Sequence, residues 1–146
     1  PRILTKRYAF LYTIAEERNL RKLAKKYCQK HGLILVDSKK SAIFFQKSSP
    51  RDFLSFIKHA DCVFTNSFHG TAFSIIIEKQ FVTEVQTKSG LNNRSNDLMK
   101  KLGLQDRDID STEFAPEEPI DYEKVNCSLE KLRSDSEDIL KKIISG

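Results

Sequence analysis

The run A-D-C-V-F-T-N-S-F-H-G-T-A-F-S-I-I-I-E-K, residues 60–79, decides how this chain is read. Cys62-Val63-Phe64-Thr65 is apolar and rich in β-formers, and reads as a strand. From Phe68 to Glu78 the apolar residues fall at helical spacing. Between the two lies a short polar cluster holding His69 and Gly70, in a chain with only 3 histidines. A strand that hands over so quickly to a helix is the building unit of a parallel sheet, whose neighbouring strands need crossover connections.

The same alternation extends in both directions. Tyr8 to Ile14 is aromatic and β-branched, nearly continuous in apolar character, as in a strand covered on both faces. Leu20, Leu23, Ala24, Tyr27 and His31 form one helical stripe, and Gly32 stops it. Leu33 to Val36 is a second strand, and Ile43-Phe44-Phe45 a weak one. Ser49 caps a helix with Pro50 at its first position and Asp52 in its first turn; Phe53, Leu54, Phe56 and Ile57 are its apolar face. Phe81 to Val85 is a strand, followed by a polar loop, Gln86 to Gly90. Asn92 or Asn93 caps a helix running to about Lys101, with Leu98 and Leu102 inward and Gly103 ending it. Asp106 to Pro119 is charged and irregular. Val125, Leu129, Leu132, Ser136, Ile139 or Leu140, and Ile143 make an amphipathic terminal helix, Tyr122 to Ile144. The expected fold is α/β: one Rossmann-like domain over residues 1–146, a parallel sheet flanked by helices, with ligands bound beyond the carboxyl ends of the strands.

Composition narrows the function classes. A chain of 146 residues buries roughly 70% of its unfolded surface and suits one domain. The net charge is +5, but Lys and Arg alternate with Asp and Glu, so a nucleic-acid partner is not expected, whereas a local basic pocket for a small anion is compatible. Cys28, Cys62 and Cys127 have no ligand or disulfide spacing and read as reduced thiols of a cytoplasmic protein. No apolar run reaches the 18 residues of a membrane span. The abrupt start, running almost at once into a strand, reads as a piece cut from a larger protein. His31, His59 and His69 are dispersed, so no metal is expected, and no phosphate-binding glycine motif or other cofactor signature occurs. His31 and His59 sit at helix ends and read as capping or packing residues.

The strand-to-helix corner is the candidate site. Asn66 to Gly70 fall at the rim, and Ser67 (or Asn66) caps the next helix. The free amides of its first turn, around Phe68, His69 and Gly70, can hold a phosphate or carboxylate at the positive end of the helix dipole, with Thr71 closing the set. Gly70 lets a ligand or a neighbouring backbone approach closely. His69, with an ordinary pKa near ~6.5, can donate a proton; it could equally pack against a backbone carbonyl. Cap chemistry accounts for Ser67 without a nucleophilic role.

The segment A-D-C-V-F-T-N-S-F-H-G-T-A-F-S-I-I-I-E-K-Q-F resembles the signature of the polysaccharide pyruvyl transferase family. S-P-R-D-F-L-S-F-I-K-H-A-D is similar to the stretch that precedes that signature, and N-N-R-S-N-D-L-M-K-K-L-G-L-Q-D-R to the block that follows it. The likeness is expected over about Tyr8 to Leu140, densest from Ser49 to Arg107. The resemblance implies the C-terminal, donor-binding half of a two-domain GT-B-like enzyme whose N-terminal domain lies elsewhere in the protein. Such enzymes move a pyruvyl group from phosphoenolpyruvate onto a sugar acceptor of a surface polysaccharide, forming a cyclic ketal, and the family's functional histidine maps onto His69. In that setting Arg94 offers a second anionic contact, or is a solvent-exposed charge; Lys88 is a looser candidate; Arg107 ties down the irregular segment through Asp106 or Asp108. Two other readings stay open: a glycosyltransferase half using a nucleotide-sugar, and a non-catalytic binding domain of the same fold.

Overall fold

The computed structural model describes residues 6–40, 49–85 and 93–145. Four strands, β1 (Tyr8–Tyr12), β2 (Ile34–Asp37), β3 (Cys62–Thr65) and β4 (Phe81–Thr83), form one parallel sheet in the order β2-β1-β3-β4. Around it run α1 (Leu20–His31), α2 (Pro50–His59), α3 (Phe68–Ile76), α4 (Asn93–Leu102) and α5 (Tyr122–Ser145), with a 3-10 turn at Gln105–Arg107. The α/β, Rossmann-like architecture expected from the alternating periodicities is present.

Strand side chains alternate between two apolar layers, as the pleat requires. Tyr8, Phe10, Val36, Val63 and Phe81 face Ile57 of α2, Ile75 of α3, Met99 and Leu102 of α4 and Val125 of α5. Ala9, Leu11, Cys62, Phe64 and Val82 face Leu20, Ala24 and Cys28 of α1, with Ile109 and Phe114 of the irregular segment packed alongside. Every residue of β3 is buried; that explains its unbroken apolar sequence. The first layer carries an aromatic stack in which Phe10 lies 5.4 Å from Phe56, and Tyr12 4.6 Å from Phe53. Each fully buried ring of this kind contributes about 1.5–3 kcal/mol.

Local signals account for most boundaries. Gly32 ends α1 in the left-handed region, at φ 63°, which costs glycine least. Ser49 and Asp52 form a reciprocal capping box ahead of α2, with Pro50 inside it. Several expected boundaries move, β2 by one residue to Ile34–Asp37. β1 stops at Tyr12 because the next two amides leave the ladder for side chains, Thr13 N–H donating to Ser38 Oγ at 3.4 Å and Ile14 N–H to Asn66 Oδ1 at 3.0 Å. β4 stops at Thr83, and α3 stops at Ile76, ahead of Glu78 in the left-handed region at φ 62°. The expected strand at Ile43–Phe45, the loop Gln86–Gly90 and Asn92 lie outside the described residues.

Val125, Leu129 and Leu132 of α5 pack on the first apolar layer, whereas Ser136, expected in the same stripe, is exposed. Tyr122 anchors the start of that helix by donating its hydroxyl to the carbonyls of Ser74 and Lys79. Arg107 is 1% exposed; it holds the irregular segment by pairing with Asp106 at 3.1 Å and donating to the carbonyls of Pro116 and Glu118. Among the described residues no helix is long and apolar enough to cross a membrane.

Candidate functional site

The strand order locates the site. From β1 the chain passes through α1 to β2 on one side, then crosses back to β3 on the other. The two connections therefore diverge between the carboxyl ends of β1 and β3, the switch point where open α/β sheets bind ligands. Two segments flank it: the β1–α1 loop, residues 13–19, and the corner from Asn66 into α3.

At that corner most of the polar side chains serve the fold. Thr65 Oγ1 accepts the Ser67 N–H at 3.1 Å, and Ser67 Oγ accepts the Gly70 N–H at 3.4 Å, so of the two possible caps it is Ser67 that acts. Thr71, 0% exposed, donates its hydroxyl to the Ser67 carbonyl at 3.0 Å, with Thr83 Oγ1 3.4 Å away. Ser74 donates to the Gly70 carbonyl at 2.7 Å. Asn66, 3% exposed, accepts the Ile14 N–H through Oδ1 and donates Nδ2 to the Ala15 carbonyl at 3.1 Å. The side chains of Asn66, Ser67 and Thr71, expected to touch a ligand, are thus turned inward and occupied. Gly70 is required for a similar reason: a Cβ there would lie 2.3 Å from Thr65 Oγ1, so the close approach is by a neighbouring side chain.

What remains outward is small and specific. Phe68 is half-buried and His69 exposed, with the two rings edge to face at 5.9 Å. Arg94, exposed in the first turn of α4, places its guanidinium carbon 4.5 Å from the centre of the Phe68 ring, a cation–π contact that brings it to His69's neighbour across 26 residues of sequence. Lys88 lies outside the described residues. The main-chain N–H groups of Phe68 and His69 meet no acceptor among the described residues, since Gly70 and Thr71 take the first cap and helix bonds.

The amino ends of the other helices differ. Ahead of α1, the buried carboxylate of Glu84 accepts the amides of Arg18 at 2.9 Å and Asn19 at 2.8 Å. At α2 the carboxylate is Asp52, whose pKa lies below the usual range through its bonds to the Ser49 amide and hydroxyl. The first turn of α3 has no acid and faces Arg94 instead. Of these three, α3 is the one whose first amides meet no carboxylate among the described residues.

The β1–α1 loop is braced from several directions. Arg21 pairs with both Glu17 and Asp37, and Lys39 reaches Glu17 at 3.6 Å and the Ala15 carbonyl at 3.0 Å. Partial burial pushes the Glu17 carboxyl up, but the hydrogen bond and charge of Arg21 outweigh it and hold the group below its ordinary value. The loop nonetheless displays Ile14 with 63% of its surface in water. Sequence reading passed over this loop. The signal that could have found it is the strand order, which makes the β1 end the natural partner of the β3 end.

Elsewhere His31 packs on Tyr27 with ring centres 4.2 Å apart, and Nδ1 of His59 lies 2.9 Å from the Ser55 carbonyl, within its own helix. Among the described residues no three His, Cys, Asp or Glu side chains cluster as metal ligands would.

With the corner in view, the family can be stated. The model of the polysaccharide pyruvyl transferase family matches residues 1–83. The chain belongs to that family. The match carries β1 through β4, including the Ser67–Gly70 corner, and ends at Thr83; the likeness expected to continue through Arg107 to Leu140 lies beyond it, Arg94 included. No curated protein and no solved structure matches this chain.

Proposed function

We propose that this chain is the donor-binding half of a two-domain, GT-B-like pyruvyl transferase acting in the cytoplasm, with phosphoenolpyruvate as donor and a sugar of a surface polysaccharide as acceptor. Family membership supports the reaction class. The observation that supports the assignment of the site is the amino end of α3 at the switch point: two open amides and the exposed His69 lie there, with Arg94 stacked on the neighbouring Phe68 ring. The free cysteines suit a reducing compartment.

The chemistry asks for few groups. A proton added to the methylene carbon of phosphoenolpyruvate leaves a cation-like carbon bearing the phosphate ester and the carboxylate. One sugar hydroxyl adds to that carbon and gives up its proton. The C–O bond to phosphate breaks, inorganic phosphate departs, and a second hydroxyl closes the ketal, losing its own proton. A site for this needs an anion cradle and one acid. The amides of Phe68 and His69 and the guanidinium of Arg94 are suited to the phosphate or the carboxylate, and His69 to supplying the proton or bonding the departing phosphate. The acceptor sugar would enter from the side of the absent domain.

The test compares donors. Phosphoenolpyruvate should raise the unfolding temperature of the chain, and a nucleotide-sugar should not; the reverse result would favour a glycosyltransferase half. In the full-length protein, His69→Ala should lower pyruvyl transfer by about 10²–10⁴-fold while changing stability by less than about 0.5 kcal/mol, because the side chain is exposed. Unchanged transfer would remove His69 from the chemistry, and an unchanged biological output of the full-length protein would favour a non-catalytic domain.

A further inference from the structure

Asn66 stands between the two segments that border the switch point, and its carboxamide is fully used there. Oδ1 accepts the Ile14 N–H at 3.0 Å, and Nδ2 donates to the Ala15 carbonyl at 3.1 Å. Both partners belong to the β1–α1 loop, 51 and 52 residues away in sequence, while the Asn66 main chain leads directly into the Ser67 cap of α3. At 3% exposure the amide is shielded from water, so these bonds are not exchanged for solvent contacts.

The loop is fastened at several points. Lys39, Arg21 and Glu84 tie it to the ends of β2 and β4. Asn66 ties it to the end of β3. The same two bonds fix where Ile14 sits, a large apolar side chain held 63% in water beside a corner whose open groups are polar. An apolar residue held there without cover is suited to contact with a bound molecule.

We infer that Asn66 is a positioning residue: it fastens the β1–α1 loop to the first turn of α3, so that an anion held by the Phe68 and His69 amides meets a rim of fixed shape with Ile14 as its apolar edge. This rests on the reading of the α3 corner as an anion site. Side-chain identity matters at both atoms. Aspartate keeps an acceptor for Ile14 but loses the donor to Ala15, and it places a negative charge next to the anion. Alanine loses both bonds.

The experiment uses amide hydrogen exchange and NMR titration of the chain with inorganic phosphate, for the wild type, Asn66→Ala and Asn66→Asp. Losing one buried hydrogen bond corresponds to about a tenfold change in an equilibrium. Exchange at Ile14 should therefore rise about tenfold in Asn66→Ala, with core amides such as Phe10 and Val63 unchanged; Asn66→Asp should retain most of the Ile14 protection. Phosphate should move the Phe68, His69 and Ile14 resonances together in the wild type. In Asn66→Ala it should still move Phe68 and His69, about tenfold more weakly, and leave Ile14 still. Unchanged Ile14 exchange, a uniform rise across the core, or wild-type phosphate affinity in Asn66→Ala overturns the inference. Should phosphate move neither Phe68 nor His69 in the wild type, the anion-site reading fails. A localised rise at Ile14 would then still support the clamp.

Discussion

Replacing Gly70 by alanine is the sharpest probe of how α3 is seated. A Cβ at that position would lie 2.3 Å from Thr65 Oγ1, 2.9 Å from its Cβ and 3.1 Å from its Cγ2. Thr65 is fully buried in β3 and has no room to withdraw. Its hydroxyl can rotate away only by abandoning the Ser67 N–H; otherwise the first turn of α3 must lift from the sheet. Overpacking of this kind costs about 1–3 kcal/mol, and the lost bond about 1 kcal/mol. Against these, alanine gains about 1 kcal/mol over glycine within a helix. The expected net loss is about 1–3 kcal/mol, read as a lower urea midpoint at unchanged slope. Thr65→Ala in the same chain removes two of the three crowded atoms, Oγ1 and Cγ2, and leaves Cβ at 2.9 Å, so Gly70→Ala should then cost less than in the wild type, a coupling visible in a double-mutant cycle. If Gly70→Ala alone raises stability by the helix-propensity gain, or if Thr65→Ala gives no relief, the packing account of Gly70 is wrong and a ligand-based requirement for glycine returns.

Four further outcomes can be checked. Glu84→Gln leaves one acceptor oxygen for the two amides ahead of α1, so one bond is lost and the other is no longer charge-assisted; this should cost about 1–3 kcal/mol in urea unfolding, and an unchanged midpoint would mean that the carboxylate is dispensable there. Glu78→Gly relieves a left-handed residue worth roughly 1–2 kcal/mol but loses the side-chain bond from Asn126, so calorimetry should show a small net gain, and a loss would place the contact above the strain. Burial pushes the Cys62 thiol and the Tyr8 and Tyr27 phenols up to about 12. Their folded values exceed their unfolded ones, so the stability they carry is complete below the ordinary thiol and phenol ranges and is lost as pH rises toward 12. Alkaline titration should accordingly lower the unfolding temperature, and a thiol reagent at pH 8 should label exposed Cys127 while sparing Cys28 and Cys62; rapid labelling of all three would contradict the burial.

Much of this molecule is written locally. The apolar run of β3, the Ser49–Asp52 box, Gly32 and Gly103 at helix ends, and the Ser67 cap each act over a few residues, so periodicity and turn chemistry reveal them before any tertiary contact forms. The same holds for the exposed His69 at a helix start and for the family signature around it. Other features depend on strand order, which no local pattern encodes. Only after β1 pairs with β3 does Asn66 meet the Ile14 and Ala15 backbone, and only after β4 takes the edge does the Glu84 carboxylate fill the amino end of α1. That is why Asn66 reads in sequence as a rim residue open to a ligand, whereas in the fold its carboxamide is spent on the β1–α1 loop: a polar side chain near a rim looks the same along the chain whether its partner is a substrate or an amide 52 residues away. The physical difference is burial, and burial is a property of the assembled layers.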